Sequence, residues 1–373
     1  MRLLDRYLLR ELLVPLAYCL FGFLIAWVAF DLLNELNELQ GHRLRAREVV
    51  EYYAVKTPEL LVTVMPVALL LALLYALTSH ARHQELTAIR AAGVGLWRIC
   101  VPYLVVGFTF SVGLFALNEL WVPDSAEWAD EILNRHTRPG TNALGRAWQR
   151  QLSFRNDRDN RRWDIGAYNV ETGEMLRPHV EWRTPDGTGR EIFAERAART
   201  DGVWVFSQVQ EFTTAPLPGA IPVPSQTNEL RLAELWETPE LIKSEIKINN
   251  LSLRSAAKKA QLSLEEILLY ERLHPHLPGP RRAILATQFH ARLALPWTCL
   301  VVALIAIPFG APSGRRNVFV GVASSIFICF TFFVLQQAGL ALGTGGYLPP
   351  WVAAWGPNLL FGLTGVWLTA RVR

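Results

Sequence analysis

Six apolar stretches set the terms for this chain. They cover residues 12–33, 60–79, 99–118, 293–309, 318–338 and 349–370. A bilayer is crossed by a helix of about 20 apolar residues, so each stretch is a candidate span. The fourth is the shortest, and an extension back to His290 would lengthen it. Burial inside a large soluble core is the alternative, but Trp and Tyr near the ends of several stretches favour a membrane. The first stretch ends in FDLLNELNEL with no small-x-small cleavage site, and reads as a retained helix rather than a removed signal.

The polar segments between the stretches are unequal in charge. Arg2, Arg6, Arg10, Arg82, Arg90, Arg98, Arg315, Arg316, Arg371 and Arg373 fall on one side of a six-span arrangement, against Asp5, Glu11 and Glu85. Residues 34–56 balance their charges and 339–348 carry none. The positive-inside rule therefore places both termini and residues 80–98 in the cytoplasm and residues 119–290 outside. This asymmetry accounts for the formal net charge of +4, so no nucleic-acid partner is implied. Cys19, Cys100, Cys299 and Cys329 all lie in or beside a span, and the exported region has no disulfide to hold it.

The expected fold is an α-helical polytopic membrane protein of six transmembrane helices with an inserted β-domain. Spans 1–3 occupy 1–118, the exported region 119–290, and spans 4–6 occupy 291–373. Within the exported region WQRQLSF, RRWDIGAYNV, REIFAERAART and VWVFSQVQEF carry strand signals, and Asp201-Gly202 predicts a tight hairpin. Short strands at this spacing predict a sandwich or jelly roll. Residues 214–228 read as a Pro-rich connector. Ser263 and Glu266 form a capping box opening a helix, and Pro280 suits the first turn of a helix running into the fourth span. Trp163, Trp182 and Trp204 are core residues on the simplest reading; an apolar trough for a lipid chain, open at the sheet edge, is the other.

Motifs for catalysis are missing. There is no GxxxxGK[ST] phosphate loop, HExxH or GxSxG. His274 and His276 form an HxH pair in a proline-interrupted segment that reads as a solvated loop. Asp31 is the one charge noted in the spans, near an end, and Gln336, Gln337 and Asn358 are neutral; ion-driven carriers keep ionisable groups at mid-membrane. A membrane-anchored envelope enzyme and an ion-coupled carrier are thus the weaker alternatives to a transport subunit driven by another chain.

HARHQELTAIRAAGVGLWRI, residues 80–99, is a polar segment between two spans with one acid among several basic groups. Read as a helix over 80–93, it places Leu86, Ile89 and Ala92 or Gly93 on one face, with Arg82, Glu85 and Arg90 elsewhere. Gly93 and Gly95 would end it. Such a helix could dock in a cytoplasmic partner's groove, or be a solvated loop in which Glu85 pairs only with Arg82.

QELTAIRAAGVGLWRICVP resembles the segment between the second and third spans of the LptF/LptG family of lipopolysaccharide-export permeases. LLDRYLLREL is similar to that family's N-terminus, ETPELIKSE and NNLSLRSA to the end of its β-domain, FHARLALPWTCLVVALIAIPFG to its fourth span, and GGYLPPWVAAWGPNLLFGLTGVWL to its last loop and span. LDRY leans toward the G-type. The resemblance implies six spans around a periplasmic β-jelly roll in the inner membrane of a Gram-negative bacterium. It implies as partners a second LptF/LptG-type permease, a cytoplasmic ATPase dimer that binds ATP and Mg (this chain needing no cofactor), and a periplasmic jelly-roll bridge protein. Lipopolysaccharide is the implied substrate. Residues 80–93 match the family's coupling helix, which gives Glu85, Arg82, Ile89, Arg90 and Gly93 a role in ATPase coupling. Arg292 matches a basic position that meets lipid phosphate. Asn34 to Glu38 are acidic where lysines stand in the family, and Arg43, Arg45 and Arg47 are the candidate substitutes.

Overall fold

The computed structural model of the chain describes residues 3–41, 44–134, 148–156, 158–217, 219–253, 262–275, 277–310 and 318–371. The chain divides into two compact units, one of Met1–Thr137 with Gly279–Arg373 and one of Arg138–Pro278.

In chain order the helices are α1 (Leu3–Gly41), α2 (Ala46–Arg82), α3 (Glu85–Ala91), α4 (Leu96–Leu120), α5 (Val122–Asn134), α6 (Pro239–Leu253), α7 (Leu264–Leu273), α8 (Gly279–Ala294), α9 (Thr298–Gly310), α10 (Val318–Thr344) and α11 (Pro350–Arg371). All but α6 and α7 belong to the first unit. Among the described residues five segments are long and apolar enough to cross a membrane: Leu3–Leu36, Ala46–Arg82, Trp97–Leu120, Gly279–Pro308 and Ile326–Thr344. α11 is 22 residues long but less uniformly apolar. The fourth segment is longer than the apolar run alone, because α8 starts at Gly279, with Pro280 in its first turn, and leads into α9 through a 3-10 turn at Leu295–Trp297.

That turn follows from Pro296, which has no N–H to donate and crowds the preceding turn. Backbone groups loosened there need partners, since hydrocarbon supplies none. Asn358 of α11 donates to the Ala294 carbonyl at 2.7 Å, and the Leu300 N–H donates to Ser111 Oγ of α4 at 3.2 Å. Leu8, Leu12 and Leu16 repeat every four residues and bury one face of the first half of α1 against α2 and its neighbours. Tyr18, Phe21, Ile25, Phe30 and Leu33, further along, are exposed. α5 closes over the far ends of α1 and α2, where Ala129, Ile132 and Leu133 pack with Leu39, Tyr52, Tyr53 and Leu60.

The second unit holds one antiparallel sheet whose strands neighbour one another in sequence order: β1 (Trp148–Asn156), β2 (Arg161–Asn169), β3 (Met175–Arg183), β4 (Gly189–Thr200), β5 (Val203–Thr214) and β6 (Val223–Leu232). β1 and β6 are its two edges. One face is apolar: Phe154 pairs with Trp163, Trp163 with Val180, and Val180 with Ile192. Leu235 and, from α6, Leu241, Ile242 and Ile246 join the same core. Asp201 and Gly202 both have positive φ, the conformation of the expected tight hairpin turn.

Two strands depart from the reading of the sequence. β3 is a strand beyond the four with sequence signals, and residues 214–228 are not all connector, since β6 begins at Val223. The tryptophans are core: Trp163 and Trp204 have no exposed surface and Trp182 almost none. Both buried indole N–H groups are satisfied by Glu237, at its side chain for Trp163 (3.2 Å) and at its carbonyl for Trp204 (2.7 Å). Burial also pushes the Tyr168 phenol up to about 12. The Ser263–Glu266 capping box forms as expected, with both reciprocal hydrogen bonds at the start of α7. His274 is not a solvated loop residue: its ring stacks on Tyr270 with centroids 4.0 Å apart. His276 lies outside the described residues. The chain is a polytopic helical membrane protein with an inserted, jelly-roll-like β-domain.

Candidate functional site

The segment between α2 and α4 is not one helix over 80–93. His80 and Arg82 form the last turn of α2, the chain turns at His83 and Gln84, and α3 covers only Glu85–Ala91. Gln84 causes the break: its φ of 61° is left-handed and cannot continue a right-handed helix. α3 ends in a Schellman motif. The Val94 N–H donates to the Ile89 carbonyl at 3.3 Å and the Gly93 N–H to that of Arg90 at 2.9 Å, with Gly93 at a φ of 86°.

The apolar face of α3 is spent inside the chain. Leu86 is buried, and Ile89 and Val94 pack half-buried against the helical core. Thr87, Ala88, Ala91, Ala92 and Gly93 form the exposed side, Arg82 is exposed beside it, and Arg90 is half-buried.

Glu85 pairs with neither Arg82 nor solvent alone. Its Oε2 accepts a hydrogen bond from the Tyr7 hydroxyl of α1 at 3.0 Å and lies 2.6 Å from Nδ1 of His80 in α2. His80 is buried, and its ring sits 5.7 Å from that of Tyr7. The His80 contact, and then that of Tyr7, holds the Glu85 carboxyl below the usual carboxylate range against the opposing effect of desolvation. A second tie lies just beyond α3. Arg98, in the first turn of α4, grips Asp5 of α1 with two nitrogens, at 2.7 and 2.9 Å. Neither Tyr7 nor Asp5 was singled out by the sequence, since these contacts join residues 78 and 93 positions apart.

The candidate phosphate ligands are placed differently from one another. Arg292 is buried, and its Nη1 donates to the Asn118 carbonyl and to Glu119 Oε2, both at 3.1 Å. Arg45 and Arg47 are exposed at the start of α2, where the Arg45 N–H donates to Glu48 at 2.8 Å. Arg43 lies outside the described residues. A cation missed in the sequence sits nearby: Lys56 of α2 is 2.6 Å from Asp31 and 3.3 Å from Glu35 of α1, under the rings of Tyr52 and Tyr53. Asp31 and Glu35 are one turn apart on α1, which is the only local trace of that site.

A helical membrane body with a β-domain inserted after its third span, and a short helix strapped between its second and third, defines a permease-type transport subunit. The chain belongs to the family of the lipopolysaccharide export system permeases LptF/LptG, whose model matches residues 6–371. The LptF permease proteins of Escherichia coli K12 and Shigella flexneri are each 20% identical to it over 381 residues, covering 96% of this chain and 92% of theirs. These relatives are F-type, and the G-type lean drawn from LDRY gains no support from them. The protein is accordingly a transport subunit of the lipopolysaccharide export system in the inner membrane, not an envelope enzyme or an ion-coupled carrier. Membership implies a second permease and an ATPase as partners in general terms.

Proposed function

We propose that this chain pairs with a second LptF/LptG-type permease, docks a cytoplasmic ATPase dimer through the exposed side of α3, and hands lipopolysaccharide to a periplasmic jelly-roll bridge from its β-domain. The observation that carries the docking reading is the division of α3 into an inward face of Leu86 and Ile89 and an outward face of Thr87, Ala88 and Ala91. The outward face is small and nearly uncharged, and a helix with such a face can lie close in a partner's groove. Glu85, Arg82, Arg90 and Gly93 border it. The asymmetry of the loop charges supports a cytoplasmic α3 and a periplasmic β-domain in this reading. Arg45 and Arg47 are the exposed cations available to lipid phosphate, whereas Arg292 already holds Glu119.

The experiment is co-purification of the ATPase with the wild-type chain and with Ala88→Arg, which puts a long cation in the middle of the outward face. Association and ATP-dependent lipid release should both be lost. Undiminished association in Ala88→Arg would remove α3 as the docking element. Reporter fusions at Gly140 and Gly314 should report opposite sides of the membrane.

A further inference from the structure

Two anchors bracket α3, and both end on the first two turns of α1. At its start, Glu85 is held by the Tyr7 hydroxyl and by His80. Just past its end, Arg98 is held by Asp5. Asp5 and Tyr7 are two residues apart, so both ends of the α3 segment are fastened to one short stretch of one helix. Among the five candidate spans of the described residues α1 is the least enclosed by its own chain: Leu8, Leu12 and Leu16 hold its first half in the core and Asp31 and Glu35 tie its far end to Lys56, while Tyr18, Phe21 and Ile25 between them are exposed. Rigid helices transmit displacement along their length, so a pull on the start of α1 is carried through that exposed stretch.

We propose that Tyr7, with His80, is a positioning residue that fastens Glu85 and so delivers displacement of α3 to α1, the Asp5–Arg98 pair acting as the second fastening. This rests on the reading of α3 as the ATPase-docking helix. The geometry favours a working joint over simple packing. The carboxylate that receives both contacts is one-third exposed, so it sits at the boundary between the core and the outward side of α3. Behind it, His80 Nε2 and the Tyr103 hydroxyl of α4 are buried with no hydrogen-bond partner among the described residues. Polar groups left over beside a joint can take up new partners when it shifts, whereas a purely structural cluster is normally satisfied throughout.

The test uses the complete complex with ATPase and second permease in proteoliposomes, and reads lipopolysaccharide released per ATP hydrolysed. Tyr7→Phe keeps the ring and removes only the hydroxyl. The ratio should fall on the order of tenfold, as for a lost hydrogen bond to a charged group. Tyr18→Phe, which removes an exposed hydroxyl from the same helix, is the control and should leave the ratio unchanged. Because Tyr7 acts through Glu85, adding Tyr7→Phe to Glu85→Gln should cost little beyond Glu85→Gln alone. A spin label at Phe21 should respond to ATP in the wild type and much less in Tyr7→Phe. A wild-type ratio in Tyr7→Phe, or losses that multiply in the double variant, would overturn the proposal. Failure of the docking reading looks different: Ala88→Arg would still bind the ATPase, whatever Tyr7→Phe does.

Discussion

The ammonium of Lys56 lies 2.6 Å from a carboxylate oxygen of Asp31 and 3.3 Å from one of Glu35, joining α2 to α1 at the end of the bundle away from α3. The Tyr52 hydroxyl donates to Glu35 at 3.1 Å, and the Tyr52 and Tyr53 rings flank the cation. All three charged side chains are mostly buried, so the cluster is stable only while its charges stay together. Lys56→Met takes the cation from two carboxylates and should destabilise the helical unit by about 3–5 kcal/mol, the usual cost of breaking a buried pair. Asp31→Asn and Glu35→Gln added to Lys56→Met should recover most of the loss. Thermal unfolding of the purified chain in detergent reads both; equal stability of Lys56→Met and wild type would show that the cluster is solvated.

Arg292 is expected to act on the fold before it acts on any lipid. Its guanidinium ties the last turn of α8 to the last turn of α4 through Glu119 and the Asn118 carbonyl. Arg292→Ala and Glu119→Ala should each lower the unfolding temperature, and the double variant should be little worse than either, because both remove one shared contact. Additive losses would mean that the two residues work apart, and would return Arg292 to the list of phosphate ligands.

The spans, the β-domain, the Asp201-Gly202 hairpin and the Ser263 cap were legible because each is written in contiguous residues. β6 was not, because it is an edge strand with nearly every side chain exposed, and no apolar alternation marks it. β3 carries Pro178, which argues against an internal strand. It is tolerated because the β3–β4 ladder pairs Leu176 with Arg196 and His179 with Phe193 and skips the positions between. The candidate site was half legible. Glu85 stood out as a lone acid, but its partners Tyr7 and His80 come from two other helices, and the break at Gln84 depends on a backbone angle no residue type there demands. Lys56 was invisible for the same reason, since its partners belong to the preceding helix.

The Glu85 joint should be sensitive to acid. His80 and Tyr7 hold its carboxyl below the ordinary range, so the ionised form is the one the fold favours. A depressed carboxyl contributes stability that is present above its unfolded value and is lost as pH falls through its folded value. Besides His80 and Tyr7, the His83 imidazole also favours the ionised carboxylate. Protection of the α3 amides, taken relative to the intrinsic exchange rate at each pH, should therefore fall below the usual carboxylate range in the wild type. In Glu85→Gln that protection should already be low at neutral pH and change little on acidification; the same acid response in both would assign it to another group.

In the β-domain, Glu237 is the fully buried acceptor for Arg161 Nη1 at 2.8 Å, Asn156 at 2.8 Å and the Trp163 indole. Glu237→Ala strands the buried Arg161 and should cost about 3–5 kcal/mol. Limited proteolysis within 148–232 should accelerate, while Glu229→Ala, at an exposed pair with Arg231, should leave it unchanged. If Glu237→Ala resisted protease as well as the wild type, the tryptophan face would not depend on this residue for closure.

The contact between α10 and α11 should tolerate no side chain at Gly339. A Cβ there would stand 2.6 Å from the Ala353 carbonyl oxygen, which is backbone and cannot rotate away. One turn on, a Cβ at Gly343 would meet the Ala353 Cβ at 2.6 Å and Thr287 of α8 at 2.8 Å. Small residues at such a crossing let helix backbones approach where no hydrophobic force separates protein from lipid, and van der Waals contact supplies the attraction. Gly339→Ala must push α11 off α10 and should cost about 1–3 kcal/mol, as overpacking does in a tight interior. Gly22→Ala is the matched control, because nothing lies within 4 Å of that position and both sites are helical. It should be neutral or slightly stabilising, since Ala favours helix over Gly by about 0.8–1.0 kcal/mol. Thermal unfolding in detergent separates the two, and Thr287→Ala should partly relieve Gly343→Ala while leaving Gly339→Ala as it was. Equal unfolding temperatures for Gly339→Ala and Gly22→Ala would mean that α10 and α11 are not in this close contact.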